Sequence, residues 1–178
     1  GISITGEVTP HHFTLTDESI KTFDTNYKMK PPLRTREDLE ALKAGLKDGT
    51  IDCIATDHAP HSSEEKEVEF DQAPFGILGL ETALGLVVTE LIEKGVLTWS
   101  QAIAKMTVNP AKILKLNAGR IKGGMPADLT VIDPQAGWSV DVSKFKSKSR
   151  NSPFGGWKMK GRVMCTIVEG KVVFQAEK

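Results

Sequence analysis

A chain of 178 residues with 39% apolar and 26% charged side chains has room for one ordinary domain, or one and a small appendage, and excludes bulk disorder and collagen-like structure. Its 23 Lys and Arg balance 23 Asp and Glu, and no basic cluster signals a nucleic acid or an anionic membrane as partner. Apolar runs are short and broken by charges, so none spans a bilayer, and the two cysteines, Cys53 and Cys165, are too far apart for a disulfide framework or zinc finger.

The chain opens Gly-Ile-Ser-Ile-Thr-Gly, with no Met and no signal-peptide pattern, and the expectation is that its true beginning lies further upstream. Residues 1–9 alternate weakly and read as a strand ending at Thr9-Pro10-His11-His12. A polar loop follows, and Pro31-Pro32 holds its backbone extended. Thr35 and Asp38 form a capping box for a helix carrying Leu39, Leu42, Ala44 and Leu46 and ending at Asp48-Gly49. The mostly apolar run 51–56 has the pattern of a buried parallel strand. It stops at Asp57-His58-Ala59-Pro60-His61, and a charged loop leads to Pro74-Phe75-Gly76.

Residues 79–94 have helical spacing at Leu80, Ala83, Leu84, Val87, Val88, Leu91 and Ile92, closed by Gly95. Thr98 and Gln101 cap a helix through Met106, and Asn109-Pro110 starts another, with Asn109 as its cap. To residue 116 the pattern is α/β. From 117 glycines punctuate short β-branched runs, 128–132, 162–168 and 171–174, the last two joined by a tight Glu169-Gly170 turn. This tail is all-β and too small to stand alone. Cys53 and Cys165 both fall in strand-like runs and read as buried, reduced thiols of a cytoplasmic protein.

All four histidines fall within 11–61, and Asp57 to His61 is the densest cluster. In parallel α/β folds, loops at strand carboxyl ends converge on one open face, where ligands and catalytic groups sit. A rigid carboxylate there can ligate a divalent metal or take a proton from water. It can equally cap the following turn. His11 and His12, adjacent on an extended segment, would point to opposite sides, so at most one faces a site; a structural pair is the plainer reading. Lys30 and Arg34 flank the prolines and could meet an anionic substrate or simply be solvated. Phe75-Gly76 is either a backbone clasp on a ligand or a loop with an anchored aromatic.

Taken in order, Glu7 to His12, Lys28-Met29-Lys30-Pro31-Pro32-Leu33-Arg34, Asp48 to His61 and Ala73-Pro74-Phe75-Gly76 resemble the bacterial type I dihydroorotase family. The segment Gly119 to Leu129 resembles the closing part of amidohydrolase-superfamily enzymes. The resemblance covers essentially the whole chain. It implies reversible hydrolysis of L-dihydroorotate to N-carbamoyl-L-aspartate in pyrimidine biosynthesis, with zinc held in a (β/α)8 barrel. Residues 1–116 would be the carboxyl-terminal part of that barrel, and 117–178 strands of a small all-β sandwich.

The resemblance makes Asp57 a zinc ligand and the acid/base, His61 a substrate-binding histidine and Phe75-Gly76 a backbone contact to the pyrimidine ring. Where the family has an Asn before the two prolines, this chain has Lys30, exchanging a two-way amide for a donor-only cation that could reach a substrate carboxylate. The family's other metal ligands would precede Gly1, and a complete barrel takes about 200 residues or more. The chain alone is therefore expected to be inactive. The resemblance also admits a homo-oligomer, a non-catalytic subunit partnering aspartate transcarbamoylase, or another cyclic amidase such as a hydantoinase or allantoinase.

Overall fold

The computed structural model describes residue 2 and residues 4–176. Two short strands, β1 (Glu7–Val8) and β2 (Cys53–Ile54), pair in parallel with Glu7 opposite Cys53 and Val8 opposite Ile54. Between them runs α1 (Arg36–Asp48), the crossover that a parallel pair requires. Its start is a reciprocal cap: Thr35 Oγ1 accepts from the Asp38 amide, and the Asp38 carboxylate accepts from the Thr35 amide. Gly49, at φ 92°, ends it in the left-handed region open to glycine. Leu39 and Leu46 turn inward, and the buried Lys43 beside them is paired with Glu90.

After β2 come a single turn, α2 (Ser63–Lys66), then α3 (Ala83–Leu86), α4 (Trp99–Met106) and α5 (Val108–Ile113). A parallel bridge between His58 and Ile77 sets the loop after β2 alongside the segment leading into α3. No helix among the described residues is long and apolar enough to cross a membrane.

The second region is an antiparallel sheet in the order β3 (Leu129–Ser139), β4 (Lys158–Val168), β5 (Lys171–Gln175). The β4–β5 turn places Glu169 at φ 49° and Gly170 at φ 78°, the positive pair a two-residue hairpin needs. What anchors this region is chiefly the 140–159 segment. Val140, Phe145, Phe154 and Met159 join one hydrophobic cluster with Val8, Phe13, Leu46, Ile54, Leu86, Val87 and Leu91. The approach is close enough to exclude side chains: a Cβ at Gly85 would meet Met159 Sδ at 2.6 Å, and one at Gly161 would meet Val88 Cγ2 at 2.6 Å.

Four expectations change. The predicted first strand pairs only at Glu7–Val8, and Gly1 and Ser3 lie outside the described residues. The helix predicted from 79 begins at Ala83 and passes at Val87–Ile92 into π spacing, with the Glu93 amide on the Val88 carbonyl. Residues 80–82 form a turn, with the Gly79 carbonyl accepting from the Ala83 amide at 3.1 Å; a Cβ at Gly79 would lie 2.6 Å from the Thr56 carbonyl oxygen, and Leu80 is exposed instead of packed. Asn109 is no cap; α5 begins two residues earlier than expected, at Val108, and Asn109 Nδ2 donates to the Asp52 carbonyl, tying the helix to the segment entering β2. Cys53 is buried, but Cys165 is only half-buried because its strand belongs to a sheet with an open face.

Candidate active site

The site grows from the carboxyl end of β2. The chain leaves the strand through Asp57, held at φ 47° in the left-handed region that Asp tolerates better than most residues. Its carboxylate is exposed and, among the described residues, has no hydrogen-bond or ion-pair partner. Asp57 therefore does not cap the following turn; Ser62 does that for α2, accepting from Glu65. A carboxylate held out on a strained backbone, spared from local bonding, is free to accept a proton or a ligand. Next to it, His58 Nδ1 accepts from the Gly79 and Leu80 amides at 3.1 and 3.3 Å, which leaves the ring proton on Nε2.

Four residues on, His61 turns its ring to the Phe75-Gly76 segment. Its Nε2 donates to the Phe75 carbonyl at 2.9 Å, and Nδ1 lies 3.6 Å from the Glu65 carboxylate. Glu65 is held below the usual carboxylate range first by the Ser62 amide, with His61 assisting. Gly76 has φ 113°, and a Cβ there would lie 2.5 Å from Ala59 Cβ, so only glycine lets the two loops touch.

Two buried lysines hold the far side of this segment. Lys28 Nζ donates to the Asp71 carbonyl and sits 4.8 Å from the centre of the Phe75 ring. Lys66 Nζ donates to the Pro74 and Gly76 carbonyls at 2.9 and 3.3 Å. Burial, then the neighbouring Lys28 ammonium, pushes Lys66 below the usual lysine range, with Asp24 pulling the other way. Lys30 is exposed, its Nζ 5.9 Å from the Phe75 ring centre. Lys28 and Lys66 are buried and engaged with backbone carbonyls, so of these three ammonium groups only the exposed Lys30 stays open to an anion.

His11 and His12 do not point apart as extended neighbours would. Residues 10–14 form a turn, and the two rings lie 4.4 Å apart. His12 Nδ1 meets Thr9 Oγ1, and Nε2 donates to the Pro31 carbonyl at 2.8 Å, fixing the loop that carries Lys30. His11 is buried with Nε2 unpartnered, and desolvation, then His12, lowers its pKa to about 3. Arg34 is exposed and faces Asp38.

The structure therefore gathers Lys30, His61, Phe75 and Gly76 around one patch, with Asp57 at the head of the same loop as His61. Sequence reasoning missed His58, Lys28, Lys66 and Asn151. Asn151 comes from the 140–157 segment: its Oδ1 accepts from the His61 amide, and its Nδ2 donates to the Ala59 and Gly76 carbonyls. No sequence signal marks an Asn some 90 residues away as a partner of these loops.

No group of three His, Cys, Asp or Glu side chains among the described residues could hold a metal ion. The imidazoles nearest Asp57 in the chain are already engaged with backbone groups, so these residues do not themselves complete a metal centre.

Parallel strand ends, an unpartnered aspartate and convergent loops agree with the family comparison. The Amidohydrolase family profile matches residues 7–173, and the chain belongs to that family, which is generally metal-dependent. Over 176 residues it is 57% identical to a dihydroorotase from Geobacter sp. (strain M21), and over 177 residues 52% identical to one from Syntrophus aciditrophicus (strain SB), 99% of this chain in each case. It spans 41% of the length of each. Among solved structures, it superposes with TM-score 0.92 and 31% identity on an L-hydantoinase (dihydropyrimidinase) from Arthrobacter aurescens, and with 0.90 and 29% on a D-hydantoinase (dihydropyrimidinase) from Thermus sp.. In both, the match covers 98% of this chain and 40% of the other. The barrel expectation thus stands as part of an α/β amidohydrolase fold.

Proposed function

We propose that this chain is the aspartate-bearing, carboxyl-terminal part of a dihydroorotase, a cyclic amide hydrolase that interconverts L-dihydroorotate and N-carbamoyl-L-aspartate in pyrimidine biosynthesis. Residues 1–116 would serve as its barrel portion and 117–178 as its β-sandwich portion. One juxtaposition carries the reading: the unpartnered Asp57 carboxylate heads the loop whose His61 is bonded to the Phe75 carbonyl, beside Lys30. The identity of 52–57% to proteins named dihydroorotase supports the substrate.

In hydrolysis, water adds its oxygen to the ring amide carbonyl carbon and the carbon–nitrogen bond breaks. Asp57 takes the proton from the attacking water and delivers it to the departing amide nitrogen, one carboxylate serving both half-steps. Lys30 supplies a cation for the substrate carboxylate, and the Phe75-Gly76 backbone meets the ring, with His61 beside it. Zinc belongs to the same reading. Asp57 would give it one oxygen, and the other donors would come from the part of the relatives' length that this chain does not span. The implied setting is a cytoplasmic enzyme, as a homo-oligomer or beside aspartate transcarbamoylase.

The superposition on hydantoinases favours a second reading, another cyclic amidase of the same family. The test is turnover of dihydroorotate and of a hydantoin by the full-length protein carrying this chain. Dihydroorotate hydrolysis that falls about 10²-fold or more in Asp57→Asn, with the fold retained, is the expected result. Turnover of the hydantoin alone would transfer the reading to hydantoinase, turnover of neither to a non-catalytic subunit. Full activity in Asp57→Asn would remove Asp57 from its role.

A further inference from the structure

We propose that Asn151 is a positioning residue, supplied by the β region, that aims His61 and the Phe75-Gly76 backbone at the substrate. Its role in substrate binding rests on the reading above; its effect on the His61 ring does not.

The argument starts from valence. An Asn side chain offers two N–H donors and a carbonyl acceptor. At Asn151, 4% exposed, Oδ1 accepts from the His61 amide at 3.1 Å, while Nδ2 donates to Ala59 O at 2.9 Å and to Gly76 O at 3.2 Å. The residue's own carbonyl accepts from the Leu78 amide at 2.9 Å. Its contacts thus alternate between the loop after β2 (Ala59, His61) and the loop before α3 (Gly76, Leu78). They sit on both sides of the His61–Phe75 hydrogen bond, which orients the imidazole from its Nε2 side while Glu65 faces Nδ1 at 3.6 Å.

Geometry elsewhere makes the clamp effective. Gly76 brings the two loops into direct contact, and the Ala59 amide donates to Ile77 O. Lys66 Nζ shares the Gly76 carbonyl with Asn151 Nδ2, so Gly76 is gripped by one donor from α2 and one from the β region. Asn151 is therefore the link through which the β region reaches the candidate site. Without its side chain, the half-buried His61 amide and Ala59 carbonyl lose these partners, and the loops can slide apart. Lys66 still holds Gly76, so the main effect falls on the aim of His61.

The test uses Asn151→Ala and Asn151→Asp in the full-length protein. The Asp variant keeps the shape and the acceptor for the His61 amide but turns an acceptor toward two carbonyls. Two readouts separate positioning from plain stability. The first is the ¹⁵N spectrum of the His61 ring, which reports whether its proton stays on Nε2. The second is the division of the kinetic loss between KM and kcat on dihydroorotate. We expect the fold to persist, the ring to leave its single Nε2–H form, and KM to rise about 10-fold with kcat within about 3-fold, as loss of binding contacts dictates. An unchanged His61 spectrum in a folded variant overturns the proposal, even if the melting temperature falls. So does an unchanged KM in an enzyme that hydrolyses dihydroorotate. If Asn151→Ala does not fold, Asn151→Asp decides by the same two readouts. If the wild type does not hydrolyse dihydroorotate, the substrate reading fails, and the His61 spectrum alone decides for or against the clamp.

Discussion

Residues 7–113 and residues 129–176 use burial differently. In the first region polar and charged groups go inside and are matched to backbone carbonyls or carboxylates: Lys28 to Asp71, Lys66 to Pro74 and Gly76, Lys105 to Ile51, Lys43 to Glu90. Those of Lys28 and Lys66 hold the loops at the candidate site, while Lys105 ties α4 to the segment before β2 and Lys43 ties α1 to the helix at Glu90. In the second, the strands bury little: β5 is exposed along its whole length, and Val131, Val168, Val172, Val173 and Phe174 remain open to solvent. Chiefly the stretch from Val140 to Met159 goes deep, bringing both an apolar anchor, Phe154, and a polar one, Asn151. The contrast teaches that a sheet can belong to a fold through the connection between two strands and the start of one of them, here Met159 and Gly161 of β4, and not through its whole face. Apolar contact supplies the affinity and a single amide the alignment.

The sharpest way to break this comparison is at Phe154. It is fully buried and meets Trp157 edge-on at 5.2 Å, so Phe154→Ala removes the apolar anchor. A loss of about 3–5 kcal/mol in denaturant unfolding is expected. A loss near zero would mean that the sheet is held by its strands after all.

The next effect belongs to the first region alone. The His11 pKa in the fold is about 3, against an ordinary 6.5, because burial and then His12 disfavour the cation. Below pH 6.5 the unfolded chain takes up a proton that the folded chain refuses until about pH 3. The contribution is complete above 6.5 and lost on acidification, at up to about 1.4 kcal/mol per pH unit. Between pH 7 and pH 5, His11→Gln should lose about 2 kcal/mol less stability than the wild type, read from urea melts at each pH. Equal losses would show that the buried imidazole does not carry the acid sensitivity.

The smallest effect sharpens the contrast from the other side. Val173→Ala, on the exposed β5, should change stability by no more than about 0.5 kcal/mol in the same melts. A larger loss would reveal a cover on this strand.

Much of the fold was legible residue by residue where the signal is local. Thr35 with Asp38 and Thr98 with Gln101 cap their helices as the spacing predicts, Gly49 closes the first, and Glu169-Gly170 makes the hairpin. Each depends on atoms within a few residues, and local chemistry is what a sequence displays. The misreadings share another cause. Residue 79 has helical spacing but lies against the Thr56 carbonyl, and Asn109 has the chemistry of a cap but bonds to Asp52, some 57 residues back. His11 and His12 alternate on paper, yet a turn brings their rings to 4.4 Å, tilted at 49°. At residue 79 and Asn109 a long-range contact overrode a local preference worth about 1 kcal/mol, and at the histidine pair a turn replaced the expected extended backbone.

The same division runs through the candidate site. Its chemical parts, Asp57, His61 and Phe75-Gly76, stand out in the sequence because a carboxylate, an imidazole and a glycine after a buried strand are recognisable types in a recognisable order. Their arrangement does not. That the His61 proton is held by the Phe75 carbonyl, that Lys28 and Lys66 gather the loop, and that Asn151 joins both loops from the far end of the chain follow only from packing. Hydrogen bonds between distant segments have no period and no spacing. They exist once the apolar cluster has closed, because burial then leaves each polar group only the partners that the fold puts within reach.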